Sequence, residues 1–424
     1  MNGMQILWLV LGVAGAIALL VLLIAFICFR MAFYAQRKKG PKAGEYKLPQ
    51  GEIYEPYWEK IKGWIDEMRA MPHEDVSITS FDGLTLRGRY YEYAPGAPIE
   101  LMLHGYRGTS ESDMSGGVQR CFALGRSALL VDQRACGRSE GNVITMGICE
   151  SRDCLSWVEF MTQKFSPDAK IILTGMSMGA ATVLMAAGKP LPKTVVGVIA
   201  DCGYTSAKEI MQKVIADMHL PPKLAYPFVK LGAKLYGRFD LEADSPIEAM
   251  ARCQVPVVFI HGEDDDFVPC QMSQENYQAC GASKRLVTIP GAGHGLASVV
   301  GAEEYMAALR EFDETISRYL DRCRKDQEYT ICDECGSEYL KSSSKMDSLC
   351  PECAHILYGY PNCEHVFEDG RCIHCYWNGK SSAYIKGLKQ KQKICFDIPL
   401  ILRRKPDFDK GGKACSTKSR QEKI

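Results

Sequence analysis

The segment that most constrains this chain is Thr174–Gly179, which reads Thr-Gly-Met-Ser-Met-Gly. A short apolar run typical of a buried strand precedes it, and small apolar residues typical of a tightly packed helix follow it. Gly175 and Gly179 flank Ser177 at the two places where a side chain would collide with the neighbouring strand or helix. The pattern predicts a strained strand-to-helix turn, with the Ser177 hydroxyl at the top of a sheet and the next amide at a helix N-terminus. Ser177 is therefore a candidate nucleophile.

The partners that a nucleophilic serine needs follow it along the chain. A base must accept the serine proton, and an acid must fix the tautomer of that base. The strand-like run 255–260 ends in a loop with three consecutive aspartates, 264–266, where an acid belongs. A later strand-like run precedes His294, and the glycines on both sides of this residue give its loop the freedom to aim the imidazole. His294 is the predicted base.

An acyl-transfer site also needs donors for the oxyanion, usually two backbone amides. The amide of Met178 is one candidate because this residue directly follows the nucleophile. The other candidate is the amide of Tyr106, in the loop that follows the early strand-like run 99–103. His104 is expected to brace this loop and to take no part in proton transfer.

From about Val76 to Cys323 the chain resembles an α/β-hydrolase of the esterase-like or peptidase-like kind. The resemblance rests on five motifs: His104-Gly105, the run 131–141, the Ser177 turn, the loop of Asp265, and His294. It implies a mostly parallel sheet with helices on both faces, and hydrolysis through an acyl-enzyme. It also favours Asp265 as the acid, three residues before a Val-Pro pair, with Asp266 as the alternative. Ala135 replaces a glycine that the family usually has in the 131–141 turn.

The N-terminal region predicts a membrane anchor. Residues 6–29 form an uncharged run of 24 residues, and about 20 suffice to cross a bilayer. No Lys or Arg precedes this run, whereas a secretory signal would have basic residues there and a cleavage site after it. Five basic residues follow within 30–42, so we expect a single-pass protein with its catalytic domain in the cytoplasm.

Cysteine spacing near the C-terminus predicts two structural zinc sites. Seven of the 19 cysteines fall between Cys332 and Cys375, mostly in Cys-x-x-Cys pairs, a spacing typical of zinc ribbons. The alternative, disulfides in a secreted tail, does not suit a cytoplasmic setting. Spacing leaves open whether the ligand sets group in order or interleave, and whether His374 replaces His365. In chain order the two predicted sets are Cys332, Cys335, Cys350 and Cys353, then Cys363, His365, Cys372 and Cys375.

These features divide the chain into five predicted parts. The helix-like segment of about 207–244 interrupts the strand rhythm and predicts a helical cap, whose apolar residues either line an acyl pocket or form cap core. The parts are an anchor (1–30), a linker (31–53), the hydrolase domain (54–325), a zinc-ribbon-like region (328–380) and a basic tail (381–424).

The predicted function is a membrane-anchored serine hydrolase that cleaves an ester, thioester or lipid acyl bond. Catalysis requires no cofactor, and the zinc ions are structural. Two alternatives remain, a serine peptidase of the same fold and a zinc-ribbon scaffold with a secondary hydrolase domain. The basic tail indicates possible contact with anionic lipid, protein or nucleic acid. The net charge of zero for the whole chain argues against a generally basic nucleic-acid-binding protein.

Overall fold

The structure is a computed structural model that describes residues 2–36, 45–166, 168–325, 329–368 and 370–396. Two compact units, Met1–Asp321 and Arg322–Ile424, divide the chain. The first unit contains one large sheet. Its strands are β1 (Glu74–Thr79), β2 (Thr85–Tyr91), β3 (Ile99–Leu103), β4 (Ser127–Asp132), β5 (Ile171–Met176), β6 (Val195–Asp201), β7 (Val257–Gly262) and β8 (Lys284–Ile289).

Helices precede the sheet and connect its strands. They are α1 (Gly3–Ala32), α2 (Trp58–Ala70), α3 (Ser110–Ala123), α4 (Glu150–Lys164), α5 (Met178–Ala187), α6 (Ala207–Asp217), α7 (Pro222–Gly232), α8 (Pro246–Met250), α9 (Cys270–Ala279), α10 (Ala297–Val300) and α11 (Ala302–Lys325). A 3₁₀ segment, Glu52–Tyr57, precedes α2, and a π-helical turn, Ala233–Gly237, continues α7.

The sheet order is β1-β2-β4-β3-β5-β6-β7-β8. Strand β2 pairs antiparallel with β1 and β4, and every other neighbouring pair is parallel. The predicted mostly parallel sheet is therefore confirmed. Because the parallel strands share one direction, the loops that follow β3, β5, β7 and β8 meet at one edge of the sheet. The predicted site residues lie in these loops.

Both faces of the sheet are covered, so its central strands are apolar throughout. In β7 the side chains alternate between two cores, as the period of two requires. Val257 and Phe259 face the core that contains Trp157 of α4, whereas Val258 and Ile260 face the core that contains Phe312 of α11. This two-sided burial holds the sheet rigid beneath the site.

The N-terminal helix α1 has the length and composition to cross a membrane, with a mean hydropathy of 3.0 over its best 18 residues. Its end packs against the rest of the first unit, because Phe29 and Phe33 are buried in a core shared with α6 and α7. The chain after it continues along the same unit, where Tyr34 forms a bridge with Val143. Part of the predicted linker, 37–44, lies outside the described residues.

The segment predicted as a cap, about 207–244, is helical but does not line the cavity beside Ser177. Instead α7 packs against α1, where the hydroxyl of Tyr236 donates a hydrogen bond of 3.1 Å to the carbonyl of Leu22. Residues 47–50 and α2 line the cavity in its place. Of the two predicted roles for the apolar residues of this segment, this arrangement agrees with cap core and not with an acyl pocket.

The second unit contains short strands and helices around the C-terminal cysteines. Its elements are β9 (Tyr329–Ile331), β10 (Glu338–Leu340), α12 (Pro351–Tyr358), β11 (Phe367–Glu368), β12 (Arg371–Cys372) and α13 (Ala383–Phe396), with a 3₁₀ turn at Lys341–Ser343. Strands β9 and β10 pair antiparallel, as do β11 and β12. The predicted basic tail begins two residues before α13 and includes this helix, and its residues 397–424 lie outside the described part of the chain.

Candidate active site

Ser177 lies at a sharp turn between β5 and α5, and its backbone is strained. Its φ of 56° and ψ of −118° are rare for any residue other than glycine. A Cβ on Gly175 would lie 2.2 Å from the carbonyl oxygen of Gly179, and a Cβ on Gly179 would lie 2.0 Å from that of Leu103. Only glycine fits at both positions, so the flanking glycines permit the turn that presents the serine.

Ser177, His294 and Asp265 form one hydrogen-bonded chain. His294 Nε2 lies 2.9 Å from the Oγ of Ser177, and His294 Nδ1 lies 2.7 Å from Oδ2 of Asp265. These residues come from the loops after β5, β8 and β7, which the parallel sheet brings to one edge. With Nδ1 protonated against the carboxylate, Nε2 is free to accept the proton of Ser177.

The carboxylate of Asp265 is fully buried and heavily hydrogen-bonded. Oδ1 accepts the amides of Phe267 at 3.0 Å and Val268 at 2.8 Å, and Oδ2 also lies 3.1 Å from Nε2 of His261. Burial raises its pKa, but the hydrogen bonds from His261 and His294 outweigh this and hold the pKa at about 2. Asp265 therefore remains an anion at neutral pH.

Asp266, the alternative acid, is exposed to solvent. Its backbone carbonyl accepts a hydrogen bond from Lys213, and none of its described contacts reaches His294. The structure thus brings Asp265, and not Asp266, to the imidazole.

The two predicted oxyanion donors lie beside Ser177. Met178 opens α5, and a Cβ on Gly105, next to Tyr106, would lie 3.5 Å from the Cβ of Ser177. Within the described residues neither the amide of Met178 nor that of Tyr106 donates a hydrogen bond to a protein acceptor. Both N–H groups are therefore available to an oxygen placed between them.

His104 braces the loop of residues 104–108, which carries Tyr106 and is hereafter called the oxyanion loop. Its Nδ1 lies 2.8 Å from the carbonyl of Gly105, and its Nε2 accepts the amide of Gln133 at 3.0 Å. The Gln133 side chain in turn donates to the His104 carbonyl at 2.6 Å. Because both ring nitrogens have protein partners in this buried position, His104 is placed to hold the loop and not to transfer a proton.

A cavity of about 640 Å³ opens beside Ser177 and His294. Its walls come from the oxyanion loop, from α2 and α3, and from residues 47–50 and Tyr54, which precede α2. Apolar side chains dominate its lining, among them Leu48, Ile61, Trp64, Met102, Met114, Met176, Val299 and Met306. The size and the lining suit a small molecule with a substantial apolar part.

The comparisons with known proteins agree with this architecture. A family model described as the alpha/beta hydrolase fold matches residues 101–245, from β3 to the end of the predicted cap. Together with the sheet order and the turn at Ser177, this match decides the fold. The chain has the α/β-hydrolase fold.

Several known proteins resemble parts of this chain. Over 190 residues it is 28% identical to the uncharacterized protein YqkD of Bacillus subtilis, in an alignment that covers 45% of this chain and 62% of that protein. Over 132 residues it is 35% identical to the thiohydrolase apmlB of Arthrinium phaeospermum, covering 30% of this chain and 42% of that protein. The chain thus spans less than two thirds of the length of either relative.

Among solved structures, an esterase of Pyrococcus furiosus is similar to this chain. The two are 20% identical with a TM-score of 0.48, and the match covers 66% of this chain and 98% of the esterase.

Three residues at the site escaped the sequence analysis. The hydroxyl of Tyr54 donates to the carbonyl of His294 at 3.0 Å, and burial raises the pKa of this phenol, so it stays protonated. The ring of Phe267 contacts the imidazole of His294 edge-on, with centroids 5.1 Å apart. His261 holds Asp265 and is itself bonded to Ser273 at 2.7 Å. Its position four residues before Asp265, at the end of a strand, was the only signal available for His261.

The second unit brings the predicted metal ligands together in two groups. Two thiolates bound at about 2.3 Å to one tetrahedral zinc would lie about 3.8 Å apart. Sγ atoms lie 3.8 Å apart in the first group and again in the second. The ligand atoms of each group all lie within 4.8 Å of one another; the groups are Cys332, Cys335, Cys350 and Cys353, and Cys363, His365, Cys372 and Cys375. Each group could hold a metal ion, and the ligands group in chain order.

The imidazole of His365 is oriented for ligation. Its Nδ1 lies 3.4 Å from Sγ of Cys375, and its Nε2 lies 3.4 Å from a carboxylate oxygen of Glu352. Metal-binding histidines commonly direct their other nitrogen to a carboxylate, which fixes the ring and its tautomer. The structure therefore places His365, and not His374, in the second group.

Proposed function

We propose that the chain is a membrane-anchored serine hydrolase that cleaves an ester, thioester or lipid acyl bond through an acyl-enzyme. One observation carries the proposal: the hydrogen-bonded chain from Ser177 through His294 to Asp265, set beside the free amides of Met178 and Tyr106. Binding alone would not require a strained serine, a correctly oriented imidazole and a buried anion in this arrangement.

In the acylation step Ser177 Oγ attacks the carbonyl carbon of the substrate while His294 Nε2 takes the hydroxyl proton. The carbonyl oxygen gains the negative charge and accepts hydrogen bonds from the amides of Met178 and Tyr106. The imidazolium, stabilised by Asp265, then gives its proton to the leaving group as the bond to that group breaks. The products are an acyl-Ser177 ester and a free alcohol or thiol.

Deacylation repeats the sequence with water as the nucleophile. His294 Nε2 accepts one water proton as the water oxygen attacks the acyl carbon, and the same two amides hold the oxyanion. The proton passes to Ser177 Oγ as the acyl–oxygen bond breaks, which restores the serine and releases the acid. Tyr54 and Phe267, which contact His294, hold the imidazole between Ser177 and Asp265 during both steps.

The cavity supports an acyl substrate over a peptide. Its lining is mainly apolar, which suits a hydrocarbon chain, whereas peptide recognition needs backbone partners along an extended groove. The relative named a thiohydrolase supports including thioesters. Hydrolysis of peptides in the assay below would instead identify a peptidase.

The contacts of α1 support its role as a permanent anchor. A secretory signal is removed, but here the last turns of α1 are part of the folded unit, with Phe33 fully buried and the Ala32 carbonyl accepting the hydroxyl of Tyr106 at 2.7 Å. The basic residues after α1 favour a cytoplasmic position for the hydrolase.

We also propose that each ligand group of the second unit holds a structural zinc ion. Both groups supply four ligands, which completes a tetrahedron and leaves no position for a substrate. Bound zinc would supply folding free energy to this small unit, and no step of the hydrolysis passes through it.

The test is covalent labelling followed by a substrate panel. A fluorophosphonate probe should label the wild-type protein at Ser177, and Ser177→Ala should abolish both labelling and cleavage of p-nitrophenyl esters. Ser156→Ala is the matched control, because this half-buried serine of α4 donates to the carbonyl of Arg152 and does not line the cavity, so its loss should leave both unchanged. Ester and thioester substrates of increasing chain length, beside peptides, then define the bond that is cleaved. Labelling of Ser177→Ala at the wild-type level would refute the assignment.

A further inference from the structure

Helix α7 and the π-helical turn after it carry two apolar faces, only one of which is buried. Tyr226, Val229, Gly232 and Ala233 are buried against α1 and the neighbouring core. A second set of apolar side chains follows at spacings of four, three and four residues, which places it on one helical stripe. This stripe, hereafter the α7 stripe, consists of Leu224, Phe228, Leu231 and Leu235.

The α7 stripe is open to solvent in the described part of the chain. Leu224 is 70% exposed and Leu235 is 47% exposed, and Phe228 and Leu231 between them are half-buried. At about 100° per residue the stripe lies roughly 130° around the helix from the centre of the buried face. Leu220, just before α7, extends the exposed apolar surface. A soluble surface rarely presents so many large apolar side chains in one row.

Three lysines flank the stripe on its other side. Lys223, Lys230 and Lys234 fall within about 40° of one another at the same helical period. Lys223 and Lys234 are exposed, and Lys230 pairs with Glu242. A helix with an apolar stripe beside a row of lysines is typical of segments that lie in a membrane interface, where the ammonium groups reach phosphate headgroups.

The contacts of α1 set the height of α7 relative to a bilayer. Residues 3–20 of α1 are exposed, and at about 1.5 Å per residue they span about 27 Å, close to the thickness of a hydrocarbon core. The contact with α7 begins directly after them, where Tyr236 bonds to Leu22 and its ring lies 5.2 Å from that of Phe26. If residues 3–20 cross the bilayer, the Leu235 end of the α7 stripe lies nearest its surface, since Tyr236 contacts Leu22.

We propose that the α7 stripe is a second membrane contact, which inserts into the interface of the same phospholipid bilayer that α1 crosses. This inference rests on the proposed anchoring role of α1. The α7 stripe binds the lipid surface, and anionic headgroups of that surface face the three lysines.

The insertion would fix the active site against the bilayer. The oxyanion loop is bound to the end of α1, because the hydroxyl of Tyr106 donates to the Ala32 carbonyl and the Arg107 guanidinium donates to the carbonyls of Met31 and Tyr34. Two contacts, α1 and the α7 stripe, define an orientation that α1 alone does not. The site therefore acts on acyl substrates presented at the membrane surface.

The test uses the full chain in nanodiscs of phosphatidylcholine with phosphatidylglycerol. The photoreactive residue p-benzoylphenylalanine is introduced singly at Leu224, at Leu235, at Leu11 of α1, and at Tyr93. Tyr93 is 50% exposed and follows β2, with its amide bonded to Ser127 at the start of β4, so it lies at the opposite end of the sheet from Ser177. We expect lipid adducts at Leu11, Leu224 and Leu235 and none at Tyr93.

The outcomes separate this inference from the proposed function. Lipid adducts at Leu11 without adducts at Leu224 and Leu235 would overturn the α7 contact and leave the anchor intact. Crosslinks from Leu224 or Leu235 to a second copy of the chain would also overturn it. Absence of lipid adducts at Leu11 would overturn the anchor itself, and fluorophosphonate labelling of the same samples reports on the hydrolase independently.

A second measurement addresses activity. The double variant Leu224→Glu/Leu235→Glu should lose at least tenfold of its rate on a long-chain ester embedded in vesicles, with its rate on a short soluble ester within twofold of wild type. Tyr93→Glu is the control and should change neither rate. An unchanged rate on the embedded ester in the double variant would contradict the inference.

Discussion

Replacing Asp265 by asparagine tests the orientation of the imidazole most directly. Oδ1 of Asp265 accepts the amides of Phe267 and Val268, so the asparagine oxygen keeps that position and its NH₂ group takes the place of Oδ2. This NH₂ then faces His294 Nδ1 over the 2.7 Å that the carboxylate now spans. Nδ1 must then accept a hydrogen bond from this NH₂ group, so the imidazole proton moves to Nε2 and points at Ser177. The base can no longer take the serine proton.

The expected cost is large and specific. In a Ser-His-Asp triad the wrong tautomer lowers kcat by about 10⁴, which corresponds to about 5 kcal/mol of transition-state stabilisation. We expect Asp265→Asn to show this loss in p-nitrophenyl ester hydrolysis and a parallel fall in the rate of fluorophosphonate labelling. Asp266→Asn, which changes an exposed neighbour, should stay within twofold of wild type. Retention of more than a tenth of the activity by Asp265→Asn, or an equal loss in Asp266→Asn, would refute the assignment.

Three further predictions concern stability and metal content. Gly179→Ala should leave little folded protein, because its Cβ would lie 2.0 Å from the Leu103 carbonyl, whereas Gly63→Ala, with open space around it, should raise the melting temperature slightly. Glu100 is fully buried between Arg120 and Arg126; burial raises its pKa, but the arginines hold the pKa at about 2. Glu100→Gln should therefore lower the free energy of unfolding in urea by about 3–5 kcal/mol at pH 7. This difference should shrink as the pH falls from about 4.5 towards 2, because the wild-type carboxylate then becomes protonated. Elemental analysis should find about two zinc ions per chain and about one in Cys350→Ser; a metal-free chain with a folded second unit would contradict both sites.

The turn at Ser177 was predictable because its requirements are local. A strand that turns directly into a helix leaves no room for a side chain at positions 175 and 179, and the sequence has glycine at both. Ser177, the aspartate loop and His294 each follow a separate strand, and a parallel sheet brings the ends of these strands to one edge.

The choice between Asp265 and Asp266 depends on the shape of their loop. Neighbouring residues of the same type differ only in where the backbone directs them, and the amides of Phe267 and Val268 direct Asp265 inwards. Tyr54 was not predictable for a different reason. It is 240 residues from His294 along the chain, and no local pattern records a contact over that distance.

The direction in which α6 and α7 pack was also beyond the sequence. A helix with one apolar face reveals its buried side, but α7 has apolar residues on two faces, and the period alone does not tell which face meets protein. The contact with α1 identifies the buried face, because Gly232 fits there only without a side chain: a Cβ would lie 2.4 Å from the carbonyl oxygen of Ala25.

This close approach fixes the end of α1 against the α/β-hydrolase fold. A hydrolase joined to its membrane helix by a flexible linker would sample many orientations, and its site would meet lipid-borne substrates only part of the time. Here the end of α1 is fixed by the hydroxyl of Tyr106 and the guanidinium of Arg107, two neighbours in the loop that supplies an oxyanion donor. If α1 crosses a bilayer as proposed, any tilt of α1 would be transmitted through these contacts to the wall of the cavity beside Ser177. Substitutions such as Tyr106→Phe should change the rate on membrane-borne esters more than the rate on short soluble ones, because the backbone amide is retained and only the link to α1 is lost.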